Sequence, residues 1–197
     1  MKTEILVPGA VGVMIGIVLT LVFTSMSGGV VNDHISMMGS IDSMFIEQMI
    51  PHHEDAIVMA DLALEKAKHD EIKELATDIK RTQSEEIEQM KTWYKDWFGD
   101  DVPNVSSGMG HDMGAGMMNM GMMGDSTDID KLETAADFDK AFIEDMIPHH
   151  QMAVMMAQML QETTNRPEME QLAKNIINAQ TLEIDAMREW YRQWYGE

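Results

Sequence analysis

The chain contains 197 residues and carries a formal net charge of −20, a length that suits one domain with additional segments. The acidic charge argues against a nucleic-acid-binding protein, because nucleic acid requires a basic protein surface. There is no cysteine, which excludes disulfides and thiolate metal sites. Methionine, normally an occasional filler of core gaps, occurs 23 times.

An apolar segment, residues 5–23, lies near the N-terminus behind Lys2. Its length is at the lower end of what spans a bilayer and above that of a usual signal-peptide core. Ser25-Met26-Ser27 is an acceptable small-x-small cleavage site, so residues 1–29 are interpreted as either a signal peptide or a membrane anchor. Both alternatives predict that the rest of the chain is exported, to the periplasm or elsewhere outside the cytoplasm. Contact with the membrane is expected only through this segment.

A first helical hairpin is predicted over residues 40–99, after a short polar linker at residues 30–39. Apolar residues recur at helical spacing and predict a first helix over about 40–67. Pro51 lies inside this helix and removes a backbone donor, so a kink is expected there. The second helix is predicted over about 70–98, where Gly99 is well placed as its C-terminal cap.

The whole hairpin occurs twice. The segment Met49-Ile50-Pro51-His52-His53 returns 97 positions later as Met146-Ile147-Pro148-His149-His150. From Phe45 and its counterpart Phe142, the two copies align without a gap as far as the chain end. Helices are therefore predicted over about 134–163 and 167–195, within a second hairpin at residues 134–197. Neither repeat contains a segment typical of a strand. Four long helices predict an all-α four-helix bundle with pseudo-two-fold symmetry.

A loop rich in methionine and glycine, residues 100–133, connects the two hairpins. Glycine at this density argues against a stable helix, so the loop is predicted to be flexible. Thioether sulfur is a soft, neutral donor that selects Cu(I), and methionine on such a loop buries no apolar surface. We therefore expect the loop to bind copper, through Met109, His111, Met113, Met117, Met118, Met120, Met122 and Met123.

The paired histidines are the second group of candidate metal ligands. Helical geometry places both histidines of each pair around the inward direction of the helix. The second repeat carries more methionines in register with its histidines, so it is expected to hold the tighter of two sites. The competing interpretation is that the histidines are core groups bonded to polar residues on the facing helices, namely Gln83, Glu86, Gln180 and Glu183. The candidate ligands are His52, His53, Met49 and Met59 in the first repeat, and His149, His150, Met146, Met152, Met156 and Met159 in the second.

Aromatic residues end each hairpin. Trp93 and Trp97, with their counterparts Trp190 and Trp194, are interpreted as plugs at one end of the bundle. His69 corresponds to Arg166 in the second repeat and is predicted to be a surface residue.

The doubled pattern F-I-x-x-M-I-P-H-H followed by W-Y-x-x-W resembles a bacterial family known as a domain of unknown function, whose members have ferritin-like four-helix folds. The resemblance covers about residues 40–197 and implies a ferritin-like bundle. It also implies Cu(I) and Ag(I) binding for copper resistance, with a ligand role for His52, His53, His149 and His150.

Three classes of function follow from these patterns. The leading hypothesis is an exported copper-binding protein that sequesters or chaperones Cu(I), or Cu(II) held by histidine, and whose acceptor is a copper efflux system. The alternative is a cuprous oxidase or another ferritin-like metal oxidoreductase. The Glu-x-x-His pattern of di-iron enzymes is absent, which favours a protein that is not an enzyme. A third class is a scaffold that binds a partner through its methionines. The number of sites and the oligomeric state stay open.

Overall fold

Four long helices form most of the chain that the structure describes. The computed structural model describes residues 32–103 and 129–196, and the surroundings of side chains from residue 41 onward. α1 packs against α2 and α4, while α4 also packs against α5 and the short α3. The prediction of an all-α bundle built from two hairpins is confirmed, with no strand in the described residues. The helices are α1 (Asn32–Lys66), α2 (Asp70–Phe98), α3 (Ile129–Glu133), α4 (Phe138–Thr163) and α5 (Pro167–Tyr195).

Some helix boundaries differ from the sequence prediction. α1 begins at Asn32, so residues 32–39 are helical although they are interpreted above as part of a linker. The linker is predicted to end at Gly39, but one glycine costs a helix about 1 kcal/mol and does not by itself end it. The predicted loop also contains a helix near its end, α3, because Leu132 is fully buried against the core.

The remaining helix ends follow local chain chemistry. α4 begins four residues later than predicted, because the Asp137 carboxylate accepts a hydrogen bond from the Lys140 backbone N–H and caps the first turn. α2 and α5 end where predicted. Gly99 and Gly196 follow them with left-handed backbone angles, φ 82° and 75°, that favour glycine.

A polar layer divides the core into two apolar clusters. One cluster joins the C-terminal half of α1 and the N-terminal half of α2 to the N-terminal half of α4. The other joins the opposite halves of these helices to the N-terminal half of α5. The residues that lie between the clusters along each helix form the central polar layer: His52, His53, Gln83, Glu86, His149, His150, Gln180 and Glu183.

Two buried aspartates connect the repeats. The Asp139 carboxylate on α4 accepts hydrogen bonds from the backbone N–H groups of Lys68 and His69, in the turn between α1 and α2. It also lies 2.5 Å from His69 Nδ1, and the His69 ring stacks on Trp194 at a centroid distance of 3.6 Å. The His69 side chain is 37% exposed, as predicted for a surface residue, but it also contacts the second repeat.

The second aspartate contact is the pseudo-symmetric counterpart of the first. Arg166 Nε donates to Asp42 at 3.1 Å, and its guanidinium lies 4.2 Å from the centre of the Trp97 ring. Each turn between helices is thus fastened to the opposite repeat by one carboxylate and one indole ring, which keeps the two hairpins in register.

No described helix is both long and apolar enough to cross a membrane. The predicted export segment, residues 5–23, and the loop ligands from Met109 to Met123 lie outside the described residues.

Candidate metal centre

The paired histidines lie in the middle of α1 and α4, each pair directly after a proline that the helix contains. Their position in the central polar layer places them between the two apolar clusters. His53 and His150 are fully buried, and His52 is 8% exposed. Four imidazole rings are therefore concentrated at the centre of the bundle, as helical geometry predicts.

Each fully buried histidine is held by a glutamate of its own hairpin. His53 Nε2 lies 2.8 Å from Glu86 Oε2, and His150 Nε2 lies 2.7 Å from Glu183 Oε2. A carboxylate only accepts hydrogen bonds, so in each neutral ring Nε2 carries the proton and Nδ1 keeps its lone pair. Among the described residues neither Nδ1 atom has a hydrogen-bond partner. A carboxylate on one ring nitrogen and a free lone pair on the other is the arrangement of a metal-ligating histidine.

The remaining two histidines meet across the repeats. The rings of His52 and His149 lie 3.7 Å apart between centroids, whereas neighbours within a pair are 6.4 Å apart in α1 and 6.2 Å apart in α4. His52 Nδ1 and both ring nitrogens of His149 are buried without a partner in the described part of the chain. The structure thus brings one histidine of each pair into contact across the two repeats.

Burial also fixes the charge of these two rings. Burial, together with the neighbouring His53 and His150, lowers the pKa of His52 to about 3. It lowers the pKa of His149 to about 2, with the other three histidines acting in the same direction. Both rings are therefore neutral at neutral pH, which is the form that binds a metal ion.

The predicted methionine ligands divide by exposure. Met49, Met59 and Met146 are fully buried in the apolar clusters, and Met49 and Met146 lie one helical turn before the histidines. Met152 and Met156 are half-buried on α4. Met159 is 61% exposed, so the predicted stripe from His149 leaves the core before its last member.

The described residues contain no ready-made cluster of metal ligands. No group of three or more histidine, aspartate or glutamate side chains there is arranged to hold a metal ion, and this includes the four imidazoles. The atoms that remain available to bind a metal ion are the imidazole nitrogens and the thioether sulfurs near them. These softer ligands suit copper and silver better than Mg²⁺ or Ca²⁺.

The competing interpretation of the sequence names Glu86 and Glu183 as structural partners of the histidines. The hydrogen bonds confirm that these contacts exist. Their further role, fixing the tautomer that leaves Nδ1 available, depends on side-chain geometry. The position of the two glutamates in equivalent places of an otherwise apolar face was the sequence signal for it.

Comparisons with known proteins agree with this geometry. The family described as a domain of unknown function, DUF305, matches residues 42–191. CopM solved in its Cu(I)-bound form is 50% identical, with a TM-score of 0.67 over 78% of this chain and 97% of that one. The same protein has been solved with Cu(II), at 52% identity and a TM-score of 0.67, over 78% and 97% of the two chains. It has also been solved with silver, at 48% identity and a TM-score of 0.66, over 78% and 96%.

Two more distant proteins share parts of this similarity. A DUF305 protein from Streptomyces coelicolor, named as a candidate secreted protein, is 28% identical with a TM-score of 0.65, over 79% of this chain and 94% of that one. An uncharacterized protein of Acanthamoeba polyphaga mimivirus, L153, is 43% identical over 49 residues. That match spans 25% of this chain and only 32% of the viral protein. The family match over most of the chain, together with the close structural similarity to CopM, shows that this chain belongs to the DUF305 family and is a CopM-like member of it.

Proposed function

We propose that the chain is an exported copper-binding protein that sequesters or passes on Cu(I), also binds Ag(I), and serves copper resistance. The observation that carries the proposal is the contact between His52 and His149. It collects four imidazoles from two repeats at one buried centre. The solved copper and silver complexes of CopM support the choice of ions.

The ligand set follows from the unpartnered nitrogens. Nδ1 of His53 and of His150 are the best prepared donors, because each ring is already fixed by a glutamate. His52 and His149 complete the imidazole donors, and Met49 and Met146 offer sulfur one helical turn away. Each unpaired buried nitrogen costs the metal-free fold about 1–3 kcal/mol, and a bound ion would offset that cost.

The binding centre is proposed to be shared by the two repeats. The sequence pattern predicts two separate metal sites in the bundle, of which the second repeat holds the tighter. The short distance between His52 and His149 supports a single site to which both repeats contribute.

Export and delivery belong to the same proposal. The apolar segment 5–23 supports export, and the name of the Streptomyces protein points the same way. The loop from Met109 to Met123 is proposed to bind further Cu(I) ions, and a copper efflux system is the proposed acceptor.

A competition titration tests the proposal. The purified chain is titrated with Ag(I) in the presence of equal Zn(II), and bound metal is counted after gel filtration. We expect Ag(I) to be retained and Zn(II) to be excluded, because soft donors prefer the softer ion. Displacement of Ag(I) by Zn(II) at comparable concentration would refute the proposal.

A cuprous oxidase is the second candidate function. It is favoured by one observation, that the same CopM fold has been solved with both Cu(I) and Cu(II). Oxygen consumption during repeated additions of Cu(I) distinguishes the two functions. A binding protein stops consuming oxygen once its sites are filled, whereas an oxidase turns over.

A further inference from the structure

A groove on the outer face of the second repeat lies between α4 and α5. Its cavity has a volume of about 340 Å³ and is lined by Ile143, Glu144, Ile147, Arg188, Tyr191 and Arg192. Ile147 and Tyr191 are half-buried and pack against the core at its floor. The two arginines are about half exposed, in a chain whose net charge is −20. The groove therefore has an apolar floor and a charged rim, formed by the two arginines and Glu144.

The first repeat has the same groove lining, and there it is covered. The equivalent residues are Ile46, Glu47, Ile50, Lys91, Tyr94 and Lys95, each 97 positions earlier. The hydrogen bond from Tyr94 to Glu47 and that from Tyr191 to Glu144 are both 2.6 Å, so the two linings have the same local geometry. Ile50 is only 5% exposed and Tyr94 only 7% exposed, in contrast to their half-buried counterparts.

The chain that follows α2 accounts for this difference. Beyond Gly99, Val102 packs against the apolar cluster that contains Ile50 and Tyr94. The carboxylate of Asp101 lies 3.1 Å from Lys95 Nζ. Asp101 thus pairs with the lysine that corresponds to Arg192, and Val102 packs against the same apolar cluster as Ile50 and Tyr94.

We propose that the groove lined by Ile147, Tyr191 and Arg192 is a docking site for an extended acidic–aliphatic segment, Asp-Val in type, of a partner protein. The aliphatic side chain occupies the apolar floor, as Val102 does in the first repeat. The carboxylate pairs with Arg188 and Arg192, which correspond to Lys91 and Lys95. These arginines already pair with Asp185 and Glu189 on the same helix. Because both ion pairs are exposed, they compete only weakly with a carboxylate of the partner.

This site differs from the metal centre but lies beside it. Ile147 is two residues before His149 on α4, so a partner in the groove sits directly behind one half of the proposed centre. The docking surface does not depend on metal binding, and either proposal can fail without the other.

A peptide titration tests the docking site. The probe is the chain's own covering segment, acetyl-Gly-Asp-Asp-Val-Pro-amide, added to the ¹⁵N-labelled metal-free full chain and followed by chemical shifts. We expect saturable shifts confined to residues around Ile143, Ile147 and Tyr191, with a dissociation constant in the millimolar range, since so small a contact area is weak. A peptide with serine in place of valine should lose this binding.

Matched charge reversals separate docking from general electrostatics. Arg188→Glu should weaken peptide binding at least roughly threefold, because it places a carboxylate where the peptide needs a cation. Lys91→Glu makes the same change in net charge at the pseudo-symmetric position, and it should leave peptide binding unchanged. Both positions are exposed, so folding is checked by identical helical circular dichroism. No saturable shifts in the groove, or an equal effect of the two reversals, would overturn the proposal.

Discussion

At the scale of single residues, the central polar layer places imidazoles where most bundles have apolar side chains. The unpaired nitrogens of His52, His53, His149 and His150 make this layer costly for the metal-free fold. A copper ion would recover that cost, because it supplies the missing partner for several lone pairs at once. We therefore expect metal binding to stabilise the folded chain.

The glutamates that hold the inner histidines provide the first prediction. Glu86→Ala should weaken the tightest Ag(I) site by about 10–100-fold, because His53 loses the group that fixes its tautomer. Glu183→Ala should act alike through His150, as expected for one shared centre. Competition titration against a calibrated chelator measures both constants. Glu85→Ala removes an exposed neighbouring carboxylate and serves as the control; an equal loss in this variant would contradict the assignment.

The lowered pKa values of His52 and His149 provide a prediction about pH. In the metal-free chain, both rings stay neutral when folded down to about pH 3 or 2, whereas in the unfolded chain they take up protons below about 6.5. The unfolded state then binds more protons, so stability falls as the pH drops below about 6.5. The slope is about 1.4 kcal/mol per pH unit for each histidine. Urea unfolding across this range measures it.

A variant without the two titrating rings tests the cause of that slope. The double substitution of His52→Gln and His149→Gln should give metal-free protein whose stability changes much less between neutral pH and pH 5. An unchanged slope would assign the acid sensitivity to other groups.

At the scale of elements, the helices are joined by turns that are fastened across the repeats. Asp139 accepts hydrogen bonds from Lys68 and His69, whereas Asp42 binds Arg166 through one oxygen and has a second, buried oxygen without a described partner. The two junctions are thus equivalent in position but differ in strength. The junction at Asp139 is expected to stabilise the bundle more.

A substitution pair tests this difference. Asp139→Asn should lower the free energy of unfolding by about 2–3 kcal/mol, since it removes a charge that accepts several bonds, and Asp42→Asn should cost about 1 kcal/mol. Denaturant unfolding at neutral pH measures both values. An equal cost would show that the extra bonds of Asp139 add nothing.

The same carboxylate gives a second dependence on pH. Burial alone would raise the pKa of Asp139, but the hydrogen bonds from Lys68 and His69 outweigh it and hold the pKa below its ordinary value of 3.8. A depressed pKa contributes stability that is present above that value and lost as the pH falls through the folded pKa. In Asp139→Asn protein this acid loss, which begins below about pH 3.8 and overlaps the lower end of the histidine range, should be absent.

The cap of α2 is the other element with a local requirement. Gly99 has a left-handed backbone, and a side chain added there would meet no atom within 4 Å. Gly99→Ala should therefore cost only the backbone strain, about 1 kcal/mol, without a packing term. Thermal unfolding measures the cost, and Gly99→Asn should cost less, because asparagine tolerates this conformation. A larger loss in Gly99→Asn would contradict the strain explanation.

At the scale of the whole molecule, the bundle and the methionine-rich loop are expected to differ in how they bind metal. Donors on packed helices are ordered when the chain folds, whereas loop donors must be ordered when the ion binds. The bundle centre should therefore be the tighter site. Whether the protein stores copper or delivers it would then depend on the relative copper affinities of the bundle centre and the loop.

Deletion of residues 109–123 tests this ranking. We expect fewer Ag(I) ions per chain, measured by metal analysis after gel filtration, with the tightest dissociation constant unchanged. Helical circular dichroism should stay the same, since the segment lies outside the described helices. Loss of the tightest site in the deletion would place that site in the loop.

Much of this protein could be predicted from its repeats. The duplication, the helical period and the glycine caps determined an all-α bundle of two hairpins, because these signals act over a few neighbouring residues. The predicted starts of α1 and α4 were wrong. At Asn32 and Phe138, the sequence signals that begin or end a helix are weak and conflict with one another. The inward position of the histidine pairs was also determined locally, since one helix fixes which side chains share a face.

Only the tertiary structure decided which residues meet across the repeats. Helical periodicity cannot give the contact of His52 with His149, because that distance depends on how α1 and α4 pack. The same holds for His69 on Trp194, which local sequence places at the surface. The contact between the two histidine pairs is therefore a consequence of packing between the hairpins, whereas the histidines themselves were already present in the sequence.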